Sequence, residues 1–335
     1  MEERILMAHG SGGKLSHELI TRCFVGKLDN PWLSRMDDAA VINNTNHKLA
    51  FTTDSYVVTP LFFPGGDIGK LAVCGTVNDL AVSGAEPQYL SLALILEEGL
   101  PVADLERIIE SIRQASLEAN VSIITGDTKV VPHGKADGIF INTSGVGRIL
   151  PDVNVSGANV KPGDVVIVSG SVGDHGMTIM AQREGLRFEG DIASDCAPLN
   201  GLVANMLAVC PQIHCMRDPT RGGVATTLNE IAAQSGVGMI INDDAVPVRP
   251  PVRALCEMLG LDPLYIANEG KLLAFAPAEF AGQLLYAMRA HKYGCDAAVI
   301  GVVTADNLGQ VILRTKLGTS RMLAMLAGDI LPRIC

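Results

Sequence analysis

Strand-like and helix-like signals alternate along almost the whole of this chain, which restricts it to layered architectures in which helices cover sheets. Residues 14 to 28 read as a helix through Leu15, Leu19, Cys23 and Phe24, residues 49 to 53 as a strand, 68 to 83 as a helix and 89 to 96 as a buried strand. Pro101 opens a helix whose apolar stripe, Leu105, Ile108, Ile109 and Ile112, has the 3.6-residue period. Strands are expected at 121 to 125 and 139 to 146. The segment from Pro151 to Gly163, with Asn, Gly and Pro and little periodicity, is the best boundary. Beyond it the pattern gives strands at 164 to 168, 237 to 241, 271 to 276, 297 to 303 and 310 to 314. Helices are expected at 174 to 184, 197 to 209, 222 to 234, 251 to 259 and 278 to 290, and a short one ending near Ala327. The reading is an α/β (α+β) chain with one domain over 1–150, a second of similar size over 151–328, and a flexible tail over 329–335. A chain of 335 residues that is 48% hydrophobic and 19% charged has the material for two such cores.

Composition removes several function classes. No stretch approaches the roughly 18 uncharged apolar residues of a membrane span, and Met1-Glu2-Glu3-Arg4 lacks the layout of a signal peptide, so a cytoplasmic location is expected. Eight cysteines are scattered without a CxxC pair, which fits a reducing compartment and neither a disulfide framework nor a zinc site. A formal charge of -10 argues against a nucleic-acid partner, because phosphate binding leans on surplus Lys and Arg. An acidic enzyme can still bind nucleotide through a divalent metal.

The chain stops at Pro332-Arg333-Ile334-Cys335, which sets a thiol beside a carboxylate. Such a residue reads as a reactive group on a mobile arm, since chain ends are usually mobile unless docked. Pro332 stiffens the approach, and Arg333 is expected to favour the thiolate. Taken alone, the cysteine could equally end the chain by chance. From Gly328 the arm has seven steps and spans at most ~25 Å.

Acidic residues recur where strands and helices end, in Asp37-Asp38-Ala39-Ala40, Thr52-Thr53-Asp54-Ser55, Asn78-Asp79, Thr125-Gly126-Asp127-Thr128-Lys129 and Arg217-Asp218-Pro219-Thr220-Arg221-Gly222-Gly223. Each could be a cap or a turn residue, but carboxylates on such edges can converge on Mg²⁺ and nucleotide phosphates. Asp38 and Asp54 adjoin apolar runs where an unpaired carboxylate is expensive. Two glycine-rich stretches, His9-Gly10-Ser11-Gly12-Gly13-Lys14 and Ser169-Gly170-Ser171-Val172-Gly173-Asp174-His175-Gly176, could offer amides to phosphate or could only shape turns. His9 and His175 read either as acid–base groups or as scaffold. Asp127 and Lys129, two apart in an extended stretch, share a face and could both reach a phosphate. Lys129 is a candidate for phosphate binding or proton transfer, and Glu269, in Asn268-Glu269-Gly270-Lys271, for a general base or else a turn acid.

In their order, the DDAAV, TTDS, ND, TGDTK and RDPTRGG segments resemble the ATP-dependent PurM-like superfamily that includes aminoimidazole ribonucleotide synthetase and selenophosphate synthetase. Within it, the HGSGGK start, the run from Asp54 to Gly66, the NEGK segment and the PRIC ending resemble the hydrogenase maturation factors of the HypE family. That resemblance implies a two-domain ATP-binding fold and a homodimer whose first-domain strands pair across a two-fold axis. It implies that a carbamoyltransferase, HypF, loads Cys335 and that ATP then drives dehydration of the thiocarbamate to a thiocyanate, which a HypC–HypD complex takes to iron. It also implies that Cys335 carries the substrate and that Asp38, Asp54, Asp79 and Asp218 hold Mg²⁺ and the ATP phosphates; Asp127, Gly170 and Gly173 are then further candidates beside the nucleotide, and Lys129 and Glu269 candidates for the chemistry. Selenophosphate synthetase normally has Cys or selenocysteine in the first glycine stretch, and positions 9 to 14 have neither. A thiamine-phosphate kinase has no use for a PRIC ending. A non-catalytic metal carrier with Cys335 as ligand stays open and is separated from the enzyme by ATP hydrolysis.

Overall fold

The computed structural model describes residues 14–19, 21, 35–37, 39–43, 48–186, 192–326 and 333–335. Helix α1 covers Lys14–Leu19, and the remainder of the helix expected up to residue 28 lies outside the described residues. Strands β1 (Ala40–Asn43) and β2 (Lys48–Tyr56) lead to a small hairpin, β3 (Phe62–Phe63) with β4 (Gly66–Asp67). Helix α2 (Ile68–Val82) follows, then β5 (Ala85–Glu97), α3 (Val102–Ala119), β6 (Ser122–Val131) and β7 (Ile139–Ile149). These strands form a five-stranded sheet in the order β1-β2-β7-β5-β6. All its pairs are antiparallel except β5 with β6, whose parallel pairing requires the crossover that α3 supplies.

Helix α2 starts where the Asp67 carboxylate accepts from the amides of Gly69 (2.8 Å) and Lys70 (3.0 Å), satisfying two donors that a helix start leaves open. It is apolar almost all round, so it is buried almost all round, with Ile68, Leu71, Val77 and Leu80 fully enclosed. Each such side chain contributes about 1.5–3 kcal/mol by leaving water. On β7, residues 139, 141, 143, 145, 147 and 149 are buried and alternate with more open positions, so one face of the sheet packs on helices. The other face leaves Phe51, Tyr89 and Ile95 exposed. Ile109, expected in the apolar stripe of α3, is 39% exposed, and the buried stripe is instead Ile108, Ile112, Ala115 and Ala119.

The second half runs β8 (Asp164–Val168), α4 (Asp174–Arg183), α5 (Asn200–Val209), β9 (Cys215–Arg217), α6 (Gly223–Ser235), β10 (Gly238–Asn242), α7 (Pro250–Leu259), β11 (Leu273–Pro277), α8 (Ala281–Arg289), β12 (Ala298–Thr304), β13 (Val311–Arg314) and β14 (Ser320–Met322). Its seven strands lie in the order β14-β13-β10-β12-β8-β11-β9. On β8, Val166 and Val168 enter one hydrophobic core while Val165 and Ile167 enter another, so this sheet is covered on both faces and its central strands read as continuous apolar runs. In the stretch expected as a short helix ending near Ala327, Ser320–Met322 instead form β14, paired with β13 across a turn closed by Thr315 N–H on the Thr319 carbonyl (2.8 Å) with Gly318 at φ +80°. Ala327 itself lies outside the described residues. A third core joins the halves, taking Leu71, Ile108 and Ile141 from the first and Met177, Leu255, Ile266 and Ile334 from the second. Among the described residues no helix is long and apolar enough to cross a membrane.

Candidate active site

Alternation along β2 turns Thr52, Asp54 and Tyr56 to the packed side, against α2. Tyr56 can sit there because position 75 is glycine: a Cβ would lie 2.3 Å from its hydroxyl. That hydroxyl donates to Asp54 Oδ2 (3.1 Å) and lies 3.3 Å from Thr76 Oγ1. Thr52 Oγ1 donates to Asp79 Oδ2 (2.8 Å), which ties the second carboxylate to the same strand. Burial pushes the Asp54 carboxyl above its ordinary range, against the opposing pull of the Tyr56 hydrogen bond and Arg221. Burial, with Asp54 and Asp79 nearby, also raises the Tyr56 phenol well above its usual value.

From the other half, three loops meet this wall. Asn268 binds them together: its side-chain oxygen accepts the Gly173 amide (2.8 Å), and its NH₂ donates to the carbonyls of Pro219 and Ile266 (3.0 Å each). Glu269 follows, buried, with Oε1 lacking a hydrogen-bond partner among the described residues. Its backbone is clamped by Asp195, which accepts from the amides of Glu269 (3.1 Å) and Gly270 (3.3 Å) and pairs with Lys271 Nζ at 3.2 Å. Burial alone raises a carboxyl, but at Asp195 Lys271 and the Glu269 amide work against it and its affinity for protons is lowered. Gly270 has to be glycine, since a Cβ would lie 1.8 Å from the Asp195 carbonyl. Asn78 of α2 completes the junction, donating to the carbonyls of Ala197 (3.1 Å) and Glu269 (3.3 Å) and accepting from the Leu199 amide (2.8 Å).

Cys335 reaches this junction. The Glu269 carboxyl, Arg221 and Asp54 are close enough to its thiol to act on it. The expectation that the thiolate is favoured is overturned: burial, followed by the carboxyls of Glu269 and Asp54, pushes the thiol up to about 12, against the opposing field of Arg221. Arg333 does not supply the neighbouring cation, because it pairs with Asp137 at 2.9 Å. Glu269 is in turn raised well above the carboxylate range, by burial first and then by Cys196, Asp218, Asp195 and Asp54. Burial thus disfavours charge on both the Glu269 carboxyl and the Cys335 thiol.

The structure thus brings together Asp54, Glu269 and Cys335, with Asp218 beside Glu269 and Asp79 beside Tyr56. It does not bring Asp127 and Lys129 to them within this chain, since both side chains are exposed on β6, an edge strand. Asp38, His9 and the first glycine stretch up to Gly13 lie outside the described residues. Gly173 is not a free phosphate cradle: its amide is taken by Asn268, that of Val172 by the Pro247 carbonyl, and its own φ of +86° serves the turn into α4. Gly170 makes room for the Lys271 stem, which a Cβ would meet at 3.0 Å. His175 is buried scaffold, bonded on both ring nitrogens. Asp195, Asn268 and Asn78 act through backbone groups mostly far from them in sequence, so no spacing announces them; Arg221 lies in the RDPTRGG segment, where spacing assigns it no role.

Among the described residues no group of three or more His, Cys, Asp or Glu side chains could hold a metal ion unaided. Separated carboxylates suit Mg²⁺ carried in on phosphates, which needs only one or two protein ligands.

Residues 36–149 match the family described as AIR synthase related protein, N-terminal domain, and residues 161–314 its C-terminal domain. The chain belongs to the AIR synthase-related family of two-domain proteins. It is 57% identical over 329 residues to the carbamoyl dehydratase HypE of Azotobacter vinelandii, covering 98% of this chain and 96% of that one. Its fold superposes with a TM-score of 0.87 on HypE in a crystallised HypE–HypF complex, at 49% identity over 91% of this chain and 98% of the other. Against HypE crystallised in complex with ATP the TM-score is 0.84, at 52% identity over 99% and 100% of the two chains. Within the family, the chain is a member of the HypE carbamoyl dehydratases.

Proposed function

We propose that this protein acts in hydrogenase maturation by using ATP to dehydrate an S-carbamoyl group on its own Cys335 to an S-cyanate. The observation that carries this reading is the placement of Cys335 beside the buried Glu269 carboxyl, Asp54 and Arg221 at the junction of the two halves. A thiocarbamate there presents an amide oxygen, a poor leaving group. Transfer of the γ-phosphoryl to that oxygen releases ADP, and loss of the amide protons with departure of phosphate leaves a carbon–nitrogen triple bond on sulfur. Tethering the substrate to the chain raises its effective concentration. Glu269 is the group we assign to take a proton from nitrogen. Asp54, Asp79 and Asp218, with Asp38, are the residues we assign to Mg²⁺ and the phosphates, where the metal supplies electrostatic stabilisation of phosphoryl transfer.

The relative crystallised with ATP supports the nucleotide, and the relative crystallised with HypF supports that protein as the source of the carbamoyl group. We further assign a cytoplasmic location, delivery of the cyanate to iron through a HypC–HypD complex, and a homodimer. The dimer gives Asp127 and Lys129 a role: on an open edge they can reach the partner copy's site although they lie outside their own. Glu269→Gln and Lys129→Ala test the division of labour. Each is expected to accept the carbamoyl group on Cys335 and to convert it about 10²- to 10⁴-fold more slowly, the usual cost of losing a proton-transfer group. Mass spectrometry of the adduct reads the outcome, and conversion at the wild-type rate returns that residue to a structural role.

A further inference from the structure

The segment Arg333-Ile334-Cys335 is held through its main chain as well as its side chains. The Arg333 carbonyl accepts from the Arg183 guanidinium and from the Thr59 amide (3.3 Å), and Arg183 is itself aimed by a bond from its Nε to the Thr59 carbonyl (2.5 Å). The Ile334 carbonyl faces His175 Nε2 at 2.5 Å. His175 is fully buried, edge-on to Phe63, with Nδ1 2.8 Å from Ser194 Oγ. A carbonyl cannot donate, so Nε2 carries the ring proton and Nδ1 accepts from the Ser194 hydroxyl, which in turn accepts the Cys196 amide (3.1 Å). The Ile334 side chain, 5% exposed, fills the core that joins the two halves. Arg333 adopts φ +57°, a left-handed backbone that an L residue takes only at a cost, so the segment does not hold this geometry by its own preference.

We infer that His175, oriented by Ser194, is a positioning residue that grips the Ile334 carbonyl and so registers Cys335 against Glu269, with Arg183 as the second point of the same latch. This rests on the proposed role of Cys335 as carrier of the reacting group. A shift of the chain by one residue would put a different side chain at Glu269, so the register of this segment decides whether the thiol faces it. A hydrogen bond to one chosen carbonyl, made from a fixed ring, forbids that slip whatever the tail's side chains are. Two such bonds, each modest in net strength, also let the segment leave its seat to receive a group from another protein.

Alkylation of the full chain with iodoacetamide, read by mass on the C-terminal peptide, reports how often the segment leaves, and exposed Cys295 provides a rate standard in the same sample. His175→Leu and Arg183→Met should each speed alkylation of Cys335 by about tenfold, the effect of one lost hydrogen bond, with Cys295 unchanged. His175→Gln, whose amide can still donate to the Ile334 carbonyl, should stay near the wild-type rate. After loading by the carbamoyltransferase, His175→Leu should carry the adduct but dehydrate it slowly, and His175→Gln should recover the conversion. Arg183 is only half-buried, so its variant keeps the test alive if leucine at position 175 does not fold. Unchanged Cys335 alkylation in Arg183→Met and in the folded His175 variants overturns the latch, as does equal acceleration by Leu and Gln, which would make bulk rather than the hydrogen bond responsible. Alkylation needs neither ATP nor a partner, so a wild-type protein that never takes a carbamoyl group defeats the proposed function while the latch is still judged on its own.

Discussion

Asp79 shows how a side chain at this site is set by its neighbours rather than by its own position in the sequence. It sits on α2 with one oxygen held by Thr52 of β2, on the side of the junction that also carries Asp54 and Tyr56. Asp79→Asn keeps the shape and removes the charge. If the carboxylate serves Mg²⁺ and the phosphates, ATP turnover at saturating Mg²⁺ should fall by about 10² or more, while melting without nucleotide moves little. Unchanged turnover would take Asp79 out of the site. The carboxylates were legible in the sequence as acidic residues at element ends beside small ones. Their protonation was not, because it depends on burial and on charges brought from other loops, as the opposite shifts of Asp195 and Glu269 illustrate. Cys335 makes the same point: Arg333, its near neighbour in sequence, spends its charge on Asp137, and Arg221 takes its place.

At the scale of elements, the long periodic segments were legible: α2, β5, α3, β7 and β8 lie within a few residues of where pattern puts them. Short strands were not. β9 and β14 have three residues each and exist because β11 and β13 offer them an edge, which no local periodicity records. The turns that deliver Glu269 are likewise non-local. Gly270 passes so close to the Asp195 carbonyl that Gly270→Ala must displace backbone, with an expected loss of about 2 kcal/mol, typical of overpacking, and a shift of Glu269 away from the thiol. Urea unfolding measures the first effect. A variant as stable as the wild type would show that the clamp between Asp195 and the Glu269–Gly270 turn is loose.

For the whole molecule, the two halves share one core and are bridged by Asn78, so the site lies where neither half alone completes it. The five-stranded sheet nevertheless leaves an edge strand, β6, with Ile124 and Val130 each 63% exposed, and an open face carrying Phe51 and Tyr89. Unpaired strand edges with apolar side chains invite pairing, and a second copy supplies it under a two-fold axis. Sedimentation at micromolar concentration is expected to give a dimer, and monomer alone would remove the route by which Lys129 reaches a site.

The central claim is that the thiol of Cys335 carries a carbamoyl group that this protein dehydrates with ATP. Intact mass of the purified chain, followed after incubation with HypF, carbamoyl phosphate, Mg²⁺ and ATP, reads it directly. The account predicts a carbamoyl adduct on Cys335 that then loses the mass of one water, absent altogether in Cys335→Ala. A carbamoyl adduct that maps to another cysteine, or one on Cys335 that keeps its full mass in the presence of ATP, would contradict it.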